Sequence, residues 1–262
     1  MSIRIVLSFL VFGFHCLLGY GQRAEILCAA NTLSVTEKIC IGITETPVHE
    51  YKYYLRTLAE KHGTASETFK QDLPNFEVWA GAFSSFSASD LEEKFFETDE
   101  MALLPMTSVT QAQVNRFLRW KTEQMKAELK KMSKRERANF PENFRFRLPT
   151  AKEWGFMRFR VQDKRMLKQI EEKAKNDEKI FKSKRSKVLK DALAMQTIYE
   201  VIDTKRCYYN VFNNALEMTR EDGLAVGGDS FMQNLDKDYL KTFSVTLPHA
   251  RVGFRIIFEI YE

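Results

Sequence analysis

The stretch Arg147-Leu148-Pro149-Thr150-Ala151-Lys152-Glu153-Trp154 carries the reading of this chain. Taken alone, Leu-Pro-Thr is turn chemistry, and its weight comes from what stands on either side of it. Upstream lie Glu45-Thr46-Pro47-Val48-His49-Glu50-Tyr51 and Pro105-Met106-Thr107-Ser108-Val109-Thr110, the second leading into Ala112, Phe117 and Trp120. Downstream lie Tyr209-Asn210-Val211-Phe212-Asn213-Asn214-Ala215-Leu216-Glu217-Met218, then Gly227-Gly228-Asp229-Ser230-Phe231, and last Val252-Gly253-Phe254-Arg255.

The segments between these motifs read from their periodicity. Thr110 to Met132 is the clearest helix, because Val114, Phe117, Leu118, Met125, Leu129 and Met132 fall on one stripe and Thr110 suits an N-cap. Its lysine-rich end is expected in solvent. Glu50 to Ala59 alternates aromatic and charged residues in a helical rhythm, whereas Ile26 to Ile43 reads as strand or loop. Asp72 to Leu104 holds Pro74, Gly81 and a serine-rich run, and reads as connecting structure. The chain after Cys207 reads as short strands and turns, closing on an alternating run from Gly253 to Tyr261.

The N-terminus points to export. Arg4 precedes an apolar stretch from Ile5 to Leu18, and Gly19-Tyr20-Gly21 follows before Gln22, which is the pattern of a signal peptide over residues 1–21. The apolar stretch is shorter than the roughly 20 residues of a membrane span, so no transmembrane anchor is expected once it is cleaved. The remainder, 22–262, reads as one domain. It keeps Cys28, Cys40 and Cys207 in a compartment that permits disulfides. A Cys28–Cys40 bridge would stabilise by on the order of 3 kcal/mol and leave Cys207 unpaired.

Charge is concentrated. Of the net +5, residues 160–194 contribute twelve Lys plus Arg against six Asp plus Glu, so the rest is near neutral. Met166, Ile170, Ala174, Phe181, Val188 and Ala192 recur there at helical spacing, predicting a basic amphipathic helix or helical hairpin at about 160–195. Such a helix is either a solvated face or a docking surface for an acidic partner. Nucleic acid is not expected as a partner, since the chain reads as exported and its basic run holds Phe181 alone rather than an interleaved series of aromatic residues. Phosphate-cradling loops, nucleophile elbows and His-Glu-x-x-His motifs are missing, and His49, His62 and His249 lack ligand spacing.

In their order, the six quoted segments resemble the domain of the formylglycine-generating enzymes, the sulfatase-modifying factor family. Arg147 to Trp154 is similar to that family's Arg-Leu-Pro-Thr-Glu-x-Glu-Trp, and Glu45 to Tyr51 to its Glu-Val-Thr-Asn-x-x-Tyr opening. Pro105 to Thr110 resembles Pro-Val-x-x-Val-Ser, and Asn210 to Met218 resembles Asn-x-x-Gly-Asn-x-Trp-Glu-Trp. Gly227 to Phe231 resembles Gly-Gly-Ser-Phe with one residue inserted, and Gly253-Phe254-Arg255 matches the closing Gly-Phe-Arg. The resemblance implies an α+β fold, the irregular C-type-lectin-like formylglycine-generating-enzyme fold, here with a basic helical insertion.

The departures define the functional expectation. The family's oxidases place a copper-binding cysteine pair between the Gly-Gly-Ser-Phe and Gly-Phe-Arg elements, and residues 232–251 contain no cysteine. Cys207 lies outside that interval. The histidine triad and extra helical domain of the related sulfoxide synthases are missing too. No catalytic residue and no copper are therefore expected, and the chain reads as a pseudoenzyme.

What the resemblance can still imply is one calcium site. Asn210 and Glu217 would supply side-chain oxygens, and Asn213 and Ala215 carbonyls. Asn213 stands where the family has glycine, which asparagine's tolerance of left-handed angles permits. The alternative is that Asn210 and Glu217 hydrogen-bond the loop. The expected function is a non-catalytic binding or scaffold module, periplasmic, outer-membrane-associated or secreted. Its expected partner is a protein of the cell envelope, met through the basic insertion, as in gliding-motility and secretion assemblies that use this fold. The alternatives are a calcium-dependent glycan-binding module using Tyr208 and Tyr209 as an aromatic platform, and an enzyme of unrecognised chemistry.

Overall fold

A computed structural model of the chain describes residues 28–82, 86–138, 140–159, 164–181, 197–199, 201–229 and 238–262. The expected leader at 1–21 and the basic insertion beyond Phe181 lie outside the described residues. In chain order the elements are β1 (Thr32–Ser34), β2 (Ile39–Gly42), α1 (Val48–His62), α2 (Glu67–Lys70), α3 (Phe76–Ala82), α4 (Ala88–Glu97), α5 (Gln111–Lys131) and α6 (Lys134–Arg137). There follow β3 (Phe144–Arg147), α7 (Ala151–Trp154) running into a 3-10 turn (Gly155–Arg158), and α8 (Lys164–Phe181). Short strands complete the chain: β4 (Ile202–Asp203), β5 (Tyr208–Tyr209), β6 (Leu216–Met218), β7 (Leu224–Val226), β8 (Thr242–Ser244), β9 (Val252–Gly253) and β10 (Ile257–Ile260). The fold is mixed, with helices early and strands late, in keeping with the α+β expectation.

Three sheets result. The first has the order β1-β2-β10-β3 with antiparallel pairs, the second β8-β7-β6-β9 with β6 and β9 parallel, and β4 pairs with β5. The closing run is divided: β9 joins the second sheet and β10 sits centrally in the first, so Phe254-Arg255-Ile256 is the crossing between sheets.

Alternation places the two cores on opposite faces of the first sheet. Cys40 and Phe258 face α1 and α5 in a cluster with Tyr51, Leu55, Phe117 and Phe254. Ile41 and Ile257 face the other way, against Trp154, Tyr208, Val226 and, from α8, Ile170 and Ala174. A sheet covered on both sides reads as continuous apolar sequence rather than alternation, as at buried Ile257-Phe258, where β10 begins.

Helix α5 follows its stripe. Val114, Phe117 and Leu118 are buried, Thr110 and Gln113 form a capping box, and Lys130 and Lys131 are exposed. Midway along it, the Thr122 hydroxyl accepts from Phe146 N at 2.9 Å and so occupies a main-chain donor on the outer edge of β3. The segment 72–104 departs from expectation: it contains α3 and α4, held by an aromatic cluster of Phe76, Trp79, Phe95 and Phe96. There Ser87, in the serine-rich run, caps α4 in a capping box with Asp90.

Cys28 and Cys40 are bonded, and Cys207 is buried outside that disulfide. Helix α8 realises the predicted amphipathic helix as far as Phe181, with Ile170 and Ala174 buried. From Lys164 to Phe181 the sequence holds six basic and four acidic residues, so most of the basic excess belongs to residues 182–194. Among the described residues no helix is long and apolar enough to cross a membrane.

Candidate functional site

The residues of the quoted motifs meet in two linked clusters. In the first, the fork of Arg147 at the end of β3 donates to both Glu153 oxygens at 2.7 Å and to Glu259 of β10 at 2.9 Å. Glu153 also closes a capping box on Thr150, accepting from Thr150 N at 2.9 Å while its own N donates to the threonine hydroxyl. This fixes α7 on the edge of the sheet and sends Trp154 into the interior.

The second cluster is buried. The Trp154 indole donates to Glu217 Oε2 at 2.6 Å, and Arg255 donates to both carboxylate oxygens through Nε and to Oε1 through Nη2 at 2.7 Å. The guanidinium also donates to the carbonyls of Gly42 and Tyr209. Glu217 and Arg255 are fully buried. Burial works against the charge on Arg255, yet the Glu217 charge and hydrogen bonds outweigh it and hold the guanidinium pKa above its ordinary value.

Glu45 lies beside this pair. Asn210 Nδ2 donates to its Oε2 at 3.0 Å and Asn214 Nδ2 at 3.4 Å, while Oε1 has no hydrogen-bond partner among the described residues. Burial, reinforced by the charge of Glu217, pushes its pKa up to about 8, so at neutral pH Glu45 is mainly the neutral acid. Gly227 is required at the same place, because its φ is +85° and a Cβ would lie 2.9 Å from the Val211 carbonyl and 3.2 Å from the Trp154 ring.

The four residues expected to hold calcium do not fit that role. Both Glu217 oxygens face a guanidinium and an indole N–H, and a cation placed there would meet Arg255 at contact distance. Asn210 spends its Oδ1 on Val201 N at 3.0 Å, and the Asn213 carbonyl accepts from Ala215 N at 3.2 Å. Ala215 is buried. Within 209–218 the left-handed residues are Asn210 and Asn214, not Asn213, and these two are the ones that donate to Glu45. Among the described residues no group of three or more His, Cys, Asp or Glu could hold a metal ion.

Tyr208 and Tyr209 offer no aromatic platform either. Both are buried between the first sheet and the Tyr199 segment, Tyr209 donating its N–H to Ile43 O at 2.9 Å. His62 and His249 are exposed, while His49 is half-buried and its Nδ1 lies 2.9 Å from Ala102 O.

The accessible concavity next to the buried cluster is a groove of about 540 Å³ at the edge of the second sheet, lined by Leu216, Asp229, Phe243, Ser244, His249 and Arg251 among others. Leu216 joins groove and network, being the neighbour of Glu217 on β6. Leu216 N donates to Arg251 O and Ser108 N to His249 O, and these bonds hold the rim. An apolar wall beside an acid, an imidazole and a guanidinium suits recognition of a mixed-polarity ligand.

The pattern of motifs nominated Asn210 and Glu217 but not their partners. Glu45, Trp154, Asn214 and Arg255 stood inside quoted motifs, and the signal that could have found them is that a buried carboxylate needs a fixed cation. Compared with protein-family models, curated proteins and solved structures, the chain matches none.

Proposed function

We propose that this chain is an exported, non-catalytic binding module that uses a formylglycine-generating-enzyme-like fold as a scaffold in a cell-envelope assembly of the secretion or gliding type. The observation that carries the reading is the Trp154–Glu217–Arg255 network. Side chains from three of the quoted motifs are spent on one another in a dry interior, which makes them structural rather than reactive. Glu45, from a fourth motif, packs against the same pair and is held by Asn210. The Cys28–Cys40 bridge supports an oxidising compartment.

On this reading the module grips a protein partner in the groove beside β8, with the basic segment beyond Phe181 as a second point of attachment. The glycan-binding alternative loses its support, because Tyr208 and Tyr209 are buried and Glu217 is committed to Arg255.

Site-directed photocross-linking in the producing cell tests this. A photoreactive phenylalanine analogue at Ser244, on the groove rim, is expected to give one adduct of fixed mass with an envelope protein. The same group at exposed Lys61 is expected to give none. No adduct, or the same adducts from both positions, would count against the groove as the binding site.

A further inference from the structure

We infer that the face built from the 3-10 turn, Phe159, Tyr239 and Leu240 docks on the surface of an anionic lipid bilayer. Phe159 and Leu240 are large apolar side chains left 56% and 54% exposed. They belong to one patch. A Cβ on Gly155 would lie 3.1 Å from both Leu240 Cδ2 and the Tyr239 carbonyl, so Tyr239-Leu240 lies directly on the turn. Phe156 and Phe159 have ring centroids 6.5 Å apart, and Arg206 ties the sides together, donating to Arg158 O at 2.8 Å with its guanidinium 5.8 Å from the Tyr239 ring. Beneath the patch Tyr239 packs on Phe212 at 4.6 Å and on Trp154 at 5.8 Å, so the protruding groups stand on a rigid base.

Charge surrounds these apolar groups. Arg158 lies 5.0 Å over the Phe159 ring, Lys241 lies over Phe243, and Lys205 is exposed beside Arg206. Of the nearby carboxylates among the described residues, Asp203 is paired with Arg206, and Asp238 accepts from Leu240 N. Among the described residues the local balance is therefore cationic.

Area and charge together select the occupant. The two protruding side chains expose roughly 200 Å² between them, taking Phe- and Leu-sized surfaces at about half exposure, far below the roughly 800 Å² each partner gives to a stable protein interface. Projecting bulky groups ringed by long cations are instead what an interfacial anchor requires: the rings enter the acyl boundary and the cations reach anionic headgroups. The surface is separate from the groove ligand, so the groove reading can fail while this one stands.

Vesicle flotation of the full chain, with its N-terminus as the host leaves it, tests the inference. Binding to phosphatidylcholine vesicles with about 30% phosphatidylglycerol is expected, and pure phosphatidylcholine should bind far less. Flotation on anionic vesicles should fall about tenfold in Phe159→Ser/Leu240→Ser, in Arg158→Glu/Lys241→Glu, and on raising salt to about 0.5 M. Unchanged thermal midpoints will show that the variants are folded. Every variant shares one N-terminus, so a difference among them reports the patch. Equal flotation on neutral vesicles, no flotation, or unchanged flotation of the apolar variant overturns the inference. A dimer in sedimentation that the apolar variant dissociates overturns it too, and assigns the face to a second copy.

Discussion

Glu217 and Arg255 carry opposite charges in an interior that excludes water, and each makes the other tolerable. Removing one partner leaves an uncompensated buried charge, so Glu217→Gln is expected to cost on the order of 3–5 kcal/mol in denaturant unfolding. The double change Glu217→Leu/Arg255→Met should recover most of that loss, because an apolar pair of similar volume has no desolvation penalty to offset. Glu45 behaves differently. With its folded pKa near 8 against an ordinary 4.5, the fold favours the neutral acid. The stability this group contributes is full below the ordinary value, is lost as pH rises toward 8, and changes little above that. Relative to Glu45→Gln, the native chain should weaken by roughly 1 kcal/mol per pH unit across that window. Parallel unfolding curves for the two chains between pH 5 and 8 would rule out the assignment.

At the scale of elements, α7 is the joint on which the two clusters turn. It is only four residues long, so its capping box and the Arg147 fork decide whether it forms. Thr150→Ala removes the cap and is expected to cost about 1 kcal/mol, as is Thr110→Ala on the longer α5. The two differ in consequence: the first should also change the near-ultraviolet dichroism of Trp154, whereas the second should leave it alone. An unaltered aromatic spectrum in Thr150→Ala would mean that Trp154 is positioned by packing rather than by its helix. Helices α1 and α5 were legible because their apolar stripes run for several turns. Helices α3 and α4 were not, because each is brief and its apolar residues, Phe76 and Trp79 or Leu91 and Phe95, need the other helix to be buried.

For the molecule as a whole, the cation that the crossing between the sheets brings against Glu217 is the Arg255 guanidinium. Excess calcium or a chelator is accordingly expected to leave the thermal midpoint of the native chain in place. A site filled at a hundred times its dissociation constant would add about 2.7 kcal/mol, a shift that unfolding resolves easily. A calcium-dependent rise that Glu217→Ala abolishes would restore the metal site. The amino-acid sequence by itself determined the mixed class, the long helices and the positions of the motifs, since these rest on local propensity, periodicity and counting. Tertiary structure alone decided what the motif residues do. Asn210 and Glu217 look like ligands in a line of residues, and only the crossing between β9 and β10 brings Arg255 against Glu217, with Glu45 packed beside them. The reason is that burial sets the price of a charge, and burial is a property of what lies nearby in space, not of what lies nearby in the chain.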